Sequence, residues 1–309
     1  MDVSIIIVNY NTKTLTLDCL ASIYKESKSI TFEVILWDNA SIDGSAEAFL
    51  GIEKLYPNFK LIVSEENHGF AKANNLAALK SQGDFLLLLN PDTKVLDHAV
   101  DKIVEHAKSS NQTGIFGGST FYGNGERNTT SCWNMPSVWS MFTMGTGLAS
   151  LFRESKLFNP ESFAWWDWKS PREVDIVTGC LLLMKRSIWD HLKGFDLRFF
   201  MYGEDADLCT RARKAGYTCM IFPDVEIIHY EGSSEPNRSD KMIRLFKAKE
   251  LLLDRHYPKI TARYGKIMLD LYAFSRMVAC SILSIYNSRY RQIAQTWKEV
   301  LIGRRGKIA

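Results

Sequence analysis

The chain has 309 residues, 46% hydrophobic and 24% charged, a balance that excludes disorder and low complexity, and a length typical of about two domains. Its formal net charge of +3 hides an asymmetry: residues 1–237 carry 22 basic against 30 acidic side chains, and residues 238–309 carry 16 against 5. A basic tail on an acidic body points to an anionic partner for the tail, whether a membrane surface, nucleic acid or acidic lipid headgroups. The six cysteines (Cys19, Cys132, Cys180, Cys209, Cys219 and Cys280) form no C-x-x-C pair and no zinc-finger spacing with His, which reads as a reduced, cytosolic protein. The N-terminus has neither a basic stretch nor a small-residue cleavage site, so a strand rather than a signal peptide is expected there.

In chain order, Val3–Val8 is a short β-branched run closed by Asn9-Tyr10-Asn11, too short for a helix. Leu15–Tyr24 has helical spacing. Strand, helix and strand are expected at Phe32–Trp37, Ala46–Leu55 and Phe59–Val63, then a helix over Ala71–Lys80, a fully apolar strand over Asp84–Leu89 and a helix over His98–Lys108. Apolar strands alternating with helices predict an α/β fold whose mostly parallel sheet is covered on both faces.

Polar residues recur just beyond these strands: Asn9 and Asn11 after the first, Asp38 and Asn39 after the second, Asn90 and Asp92 after Leu86–Leu89. Each alone reads equally as a helix N-cap or a turn residue. Three at equivalent positions point to a site, because open parallel sheets bind ligands outside the carboxyl ends of their strands. No G-x-G-x-x-G, Walker A loop, H-E-x-x-H or G-x-S-x-G occurs, which removes dinucleotide folds, P-loop NTPases, zinc proteases and α/β-hydrolases. Carboxylates repel phosphates unless a divalent cation lies between them, so a metal–diphosphate complex is the economical ligand.

Downstream, Val174–Lys185 is an apolar strand interrupted by Gly179, and a connector with Gly194-Phe195-Asp196 follows. Glu204, Asp205 and Asp207 gather where a helix running to about Ala215 should begin, a placement the helix dipole alone would favour. Val225–His229 is a short strand ending in a histidine.

The fragments VSIIIVNYN, WDNASIDGS, NHGFAKANN, LLLLNPDT, DIVTGCLLLMKR, GFDLRFFMYGEDADLCTRARKAG and IIHYEGSS, in this order, resemble the family-two inverting glycosyltransferases of GT-A fold, in the bacterial rhamnosyltransferase-like branch. The resemblance runs from Val3 to about Ser234. It implies that Asp38 accepts the N3–H of the donor's pyrimidine, which uracil and thymine share, while Asn9, Tyr10, Asn11 and Asn39 shape the nucleotide pocket. The segment from Asn67 through Gly69, Phe70 and Lys72 to Asn75 would line the ribose or diphosphate side, with Lys72 on phosphate. Asn90-Pro91-Asp92 stands where many members have a metal-binding D-x-D; with Asn at the first position, Asp92 becomes the expected metal ligand and Asn90 a substrate contact, with Gly179 beside them. His229 matches the family's late metal-ligand histidine, and Mg²⁺ or Mn²⁺ suits such oxygen-rich sites. Asp205, in the pair with Glu204, matches the general base that takes the acceptor hydroxyl's proton. One carboxylate base and direct displacement mean inversion, and without a Q-x-x-R-W signature one sugar per encounter is expected. The implied donor is a dTDP- or UDP-sugar, dTDP-β-L-rhamnose first, and the implied acceptor a polyprenyl-diphosphate-linked or other glycan in bacterial surface polysaccharide synthesis.

Residues 128–152 carry no charge, and Trp133, Trp139, Trp165, Trp166 and Trp168 fall close together. Stacking on a sugar, seating at a membrane interface, and plain core packing all use such aromatics. In the tail, Ile267, Leu271, Phe274, Val278, Ile282 and Ile285 recur at helical spacing between basic flanks, short of a clean membrane span. This reads as a helix lying in an anionic membrane interface; the alternative is a helix packed on the catalytic domain or across a homodimer contact. No nucleic-acid-binding motif accompanies the basic tail, so nucleic acid is not expected. The expected organisation is a catalytic domain over 1–237, an aromatic-rich insertion at 128–172, and a basic helical tail over 238–309, in a protein peripheral to the cytoplasmic face of the membrane.

Overall fold

The structure, a computed structural model, describes residues 1–110, 113–230 and 238–304. The last four residues of the IIHYEGSS fragment and the basic end at 305–309 lie outside the described residues. Two compact units divide the chain: Met1–Trp133 with Asp167–Ser234, and Asn134–Trp166 with Glu235–Ala309. By contacts, then, residues 134–166 belong with the C-terminal helices, whereas the sequence division at residue 237 leaves them in the first domain.

The first unit begins with β1 (Val3–Asn9), α1 (Lys13–Glu26), β2 (Phe32–Asp38), α2 (Ser45–Leu55), β3 (Phe59–Val63), α3 (Gly69–Ala78), β4 (Phe85–Leu89), β5 (Thr93–Val95), α4 (Ala99–Ser109) and β6 (Gly114–Phe121). The short β7 (Arg127–Asn128) and β8 (Cys132–Trp133) follow. In the second unit, α5 (Val138–Thr146) and α6 (Leu148–Leu151) come next, and the chain then returns to the first with β9 (Arg172–Glu173), β10 (Ile176–Val177), β11 (Leu181–Lys185), α7 (Arg186–Leu192), α8 (Glu204–Lys214) and β12 (Thr218–His229). The second unit ends with α9 (Arg238–His256), α10 (Lys259–Leu283) and α11 (Arg289–Gly303).

The main sheet runs β3-β2-β1-β4-β11-β6-β12-β5. β1, β2, β3 and β4 are parallel, and Asn9 pairs with Asp38 at the shared carboxyl edge. Leu86–Leu89 is buried throughout, as a strand covered on both faces must be. Leu87 and Leu89 share one core with Ile5, Ile7, Leu36 and Leu183, Phe49 of α2 and Phe116 of β6, each contributing about 1.5–3 kcal/mol by leaving water.

Two features depart from the sequence reading. The apolar run Val174–Lys185 is two strands rather than one, and β11 enters antiparallel to both β4 and β6, so its first residues rather than its last lie at the carboxyl edge. The strand expected at Val225–His229 is the end of the twelve-residue β12, whose pairing with β6 slips between Phe222 and Glu226. Pro223 sits in that bulge, where no ladder N–H is needed. Gly118 faces it, and a Cβ there would stand 2.3 Å from the Val225 carbonyl oxygen.

In the second unit, α10 packs against α5, α9 and α11 around Met141, Phe246, Leu253, Ala262, Leu269, Ala273 and Val300. Ser137 and Ser140 cap the start of α5 reciprocally. No described helix is long and apolar enough to cross a membrane.

Candidate functional site

The carboxyl ends of β1 and β2 are tied into one polar network. Asn9 Nδ2 donates to Asp38 Oδ1 at 2.6 Å and to Ser41 Oγ at 2.9 Å, while Asn9 Oδ1 accepts from the Thr12 and Thr16 hydroxyls. Asp38 is 1% exposed, and its Oδ2 has only a long 3.3 Å bond from the Ser41 N–H, which leaves acceptor capacity on that oxygen. Asn11, in the left-handed region at φ 54, donates its N–H to Ser41 Oγ and accepts from the Ile42 N–H. Tyr10 is exposed beside it. Asn39 extends the network: its Nδ2 donates to Asn67 Oδ1 at 2.8 Å and its Oδ1 accepts from the His68 N–H. Asn67 Oδ1 also accepts from the Gly69 N–H at the start of α3.

A second cluster forms where β4 turns into β5. Asn90 N–H donates to the Cys180 carbonyl, and the Thr93 hydroxyl returns to the Asn90 carbonyl, so Asn90-Pro91-Asp92 is a pinned turn. The backbone of β12 reaches it through the Tyr230 N–H to the Asp92 carbonyl. His229 Nε2 lies 3.3 Å from Asp92 Oδ1 and 3.3 Å from Asn90 Nδ2. Burial alone would lower the His229 pKa; Cys180 and Asp92 reverse that and carry it up to about 11.

The third group sits at the start of α8. Asp205 Oδ2 accepts from the Gly179 N–H at 3.0 Å and Oδ1 from the Ala206 N–H at 2.7 Å. Burial pushes the Asp205 pKa up, against these two hydrogen bonds. Glu204 is buried with Oε2 unpartnered; burial, then the charge of Asp205, push its pKa up to about 8. The helix is anchored from behind, where Arg211 bonds Asp207 Oδ2 at 2.7 Å and the carbonyls of Leu192 and Gly194. The loop before it meets α3 through the Phe70 N–H to the Phe200 carbonyl, and Phe70 lies alongside Gly179.

The structure thus brings Asn90, Asp92, His229, Gly179, Asp205 and Phe70 together, and Asn9, Asp38, Asn39, Asn67 and Gly69 into the adjoining network. Lys72 is half exposed and stands 3.8 Å from Glu66. Asn75 is engaged elsewhere: its Nδ2 donates to the Phe195 carbonyl and its Oδ1 accepts from the Phe195 N–H, so its amide braces α3 against the connector before α8. The sequence reading passed over Ser41, which joins the β1 and β2 loops, and Cys180, whose carbonyl accepts from the Asn90 N–H. Both lay next to singled-out residues, but only their backbone positions make them joints. Among the described residues, no group of three or more His, Cys, Asp or Glu side chains is gathered as for a metal ion.

A family model described as glycosyl transferase family 2 matches residues 4–192. Over 219 residues the chain is 27% identical to the N-acetylglucosaminyl-diphospho-decaprenol L-rhamnosyltransferase of Mycobacterium tuberculosis, covering 65% of this chain and 67% of that one. It is 26% identical over 240 residues to the O-antigen biosynthesis protein RfbC of Myxococcus xanthus, covering 75% of this chain and 17% of that protein. Among solved structures, the mannosyltransferase PcManGT from Pyrobaculum calidifontis, in complex with GDP-Man and Mn²⁺, aligns with a TM-score of 0.61 at 18% identity, covering 97% of this chain and 85% of that one. That likeness concerns the fold, which is of the GT-A type. With the family model spanning the sheet from β1 to α7, the chain belongs to glycosyl transferase family 2 and is a glycosyltransferase.

Proposed function

We propose that the protein transfers one sugar, L-rhamnose from dTDP-β-L-rhamnose, to a hydroxyl of a lipid-linked glycan, with inversion, at the cytoplasmic face of the membrane in bacterial surface polysaccharide synthesis. One observation carries the reading: Asn90, 3.3 Å from the His229 ring, donates its N–H to the Cys180 carbonyl, and Asp205 accepts from the N–H of Gly179, so the Asp92–His229 pair and the Asp205 carboxylate flank the same two residues. A diphosphate leaving group needs positive charge on one side of the anomeric carbon, and the incoming hydroxyl needs a proton acceptor on the other.

In this reading Asp38 takes the N3–H of the base, while Asn9, Tyr10, Asn11, Asn39, Asn67, Gly69 and Phe70 line the nucleotide and Lys72 reaches toward phosphate. The acceptor oxygen bonds to the anomeric carbon as its proton passes to Asp205, and the electron pair of the breaking carbon–oxygen bond leaves on the nucleoside diphosphate. A carboxylate is too weak a base to deprotonate an alcohol beforehand, so proton transfer accompanies bond formation. Burial raises the affinity of Asp205 for a proton, which favours the role.

The residues present fit a divalent cation. Asp92 Oδ1 and His229 Nε2 stand 3.3 Å apart, close to the roughly 3 Å between adjacent ligands at octahedral bond lengths. Two protein ligands leave positions for phosphate oxygens, as Mg²⁺ sites in nucleotide enzymes commonly do. Asp92 and His229, its ring neutral, would hold the ion, which would supply positive charge to the leaving diphosphate; the imidazole tilts the choice toward Mn²⁺. The name of the Mycobacterium tuberculosis relative supports rhamnose and a polyprenyl-diphosphate acceptor.

The test is a thermal-shift screen of dTDP-rhamnose, UDP-glucose, UDP-galactose, UDP-GlcNAc and GDP-mannose, each with and without Mn²⁺. A donor present at a hundred times its dissociation constant stabilises by about 2.7 kcal/mol. A metal-dependent shift with dTDP-rhamnose alone is expected. A shift with a UDP-sugar instead would keep the mechanism and overturn the sugar, and no shift with any donor would overturn the metal-binding pair.

A further inference from the structure

The helical unit carries an apolar surface that its own core does not use. α10 is apolar on two opposite sides. Ala262, Gly265, Leu269 and Ala273 are buried within the unit. Ile267, Leu271, Phe274, Val278 and Ile282, at the same three-to-four spacing on the opposite side, are all exposed. A water-soluble helix needs one such stripe; the second is unaccounted for by packing. At the end of α10 the stripe continues into the turn toward α11, where Ile285 is 78% and Tyr286 86% exposed. Beside it, Ile267, Leu271, Phe274, Leu301 and Ile302 line a groove of about 670 Å³, with Asp270 at its rim paired to Arg304.

Exposed basic side chains lie on the same two helices, α10 and α11. Lys259 and Arg263 stand exposed at one end of α10, and Arg289, Arg291 and Lys298 are exposed along α11. Residues 238–304 carry 14 basic against 5 acidic side chains. A second copy of the same unit would meet this face with its own excess of positive charge, which disfavours a two-fold contact. An anionic surface with an apolar interior satisfies both features at once.

We propose that the exposed face of α10, with the Ile285–Tyr286 turn leading, docks the enzyme on anionic phospholipid. The stripe lies in the acyl boundary and the arginines and lysines lie among the headgroups. The proposal deepens the lipid-linked acceptor reading above, because a prenyl-anchored sugar is met only by an enzyme held at the same surface; its test, however, needs neither donor nor acceptor.

The full chain is sedimented with vesicles of phosphatidylcholine mixed with phosphatidylglycerol and with vesicles of phosphatidylcholine alone. Partition into the anionic vesicles, weakened by salt, is expected. Each basic side chain at such a surface contributes roughly fivefold, so R289Q/R291Q should lower partition roughly twenty-five-fold, and I282D/I285D at least tenfold. All four side chains are exposed, so the melting temperature should not move. Three results would overturn the proposal: equal partition into neutral and anionic vesicles, no partition into either, or a dimer in sedimentation velocity that I282D/I285D disperses. A failed donor screen alongside intact vesicle binding would overturn the sugar-transfer reading alone.

Discussion

Replacing Glu204 with glutamine measures what it costs to hold a carboxyl group at the buried start of α8. In the folded chain, burial and then the neighbouring Asp205 charge keep the Glu204 proton on up to about pH 8, whereas the ordinary glutamate value is 4.5. The native state therefore binds a proton that the unfolded state has released, and stability falls as pH rises through that window. The loss is on the order of 2 kcal/mol at pH 6 and 4 kcal/mol at pH 8. The glutamine variant cannot ionise, so its own penalty for a buried amide stays constant. Urea unfolding followed by tryptophan fluorescence from pH 5 to pH 8 should show the variant gaining about 3 kcal/mol on the parent across the range, with unchanged denaturant slope. Parallel stability curves would mean that Glu204 is ionised and solvated in the native protein, and the account of the α8 start would be wrong.

Asp205→Asn should lower turnover by about 10²–10⁴-fold while leaving the donor-induced thermal shift in place; losing the shift as well would move Asp205 from proton acceptor to donor binding. Gly69→Ala forces a methyl group into a residue at φ +72 that already touches Phe200, with ring and carbonyl atoms 2.7 Å from the added carbon. A loss of about 2–4 kcal/mol in urea unfolding is expected, and one below about 1 kcal/mol would contradict the close approach. His229→Ala should erase the metal-dependent part of donor stabilisation and spare the metal-free part, read by titrating Mn²⁺ in the thermal-shift assay. Asn75→Ala strips two hydrogen bonds from the Phe195 backbone and should cost about 1–3 kcal/mol with unchanged donor affinity; weaker donor binding at unchanged stability would restore Asn75 to the nucleotide pocket.

Much of the first unit was legible because its strands are short apolar runs separated by amphipathic helices. Phe59–Val63 falls where expected, and α1 to α4 lie within a few residues of their expected bounds. β6 was not legible. No strand was expected there, and the close approach of Thr218 to Gly114, of Val177 to Gly117 and of Val225 in the bulge to Gly118 explains why the strand lacks side chains at these positions. The direction of β11 was hidden for a related reason: an apolar run buried on both faces carries no mark of parallel or antiparallel pairing. Among the polar residues, the sequence pattern was enough to place Asn9, Asp38, Asn90 and Asp92 at or just beyond the ends of β1, β2 and β4. It could not show that Asn75 braces backbone, because its partner lies 120 residues away. The exposed stripe of α10 was visible as periodicity, but which of its two apolar faces the core would take depends on α5, α9 and α11.

The order of strands in the main sheet also bears on how the protein comes into being. Asn9, Asp38 and Asn67 are joined within consecutive strand–helix units, so their network needs only contacts among the first third of the chain. Asp92 waits for His229, 137 residues later, and Gly179 meets Asp205 only after β11 has been inserted between β4 and β6. Contacts of long sequence separation close late, because the loop entropy must be overcome before they reward it. A chain emerging from the ribosome would thus complete the Asn9–Asp38–Asn67 network well before the Asp92–His229 and Gly179–Asp205 contacts, and β4, open on one side until β11 arrives, is the strand most exposed to mispairing in the interval.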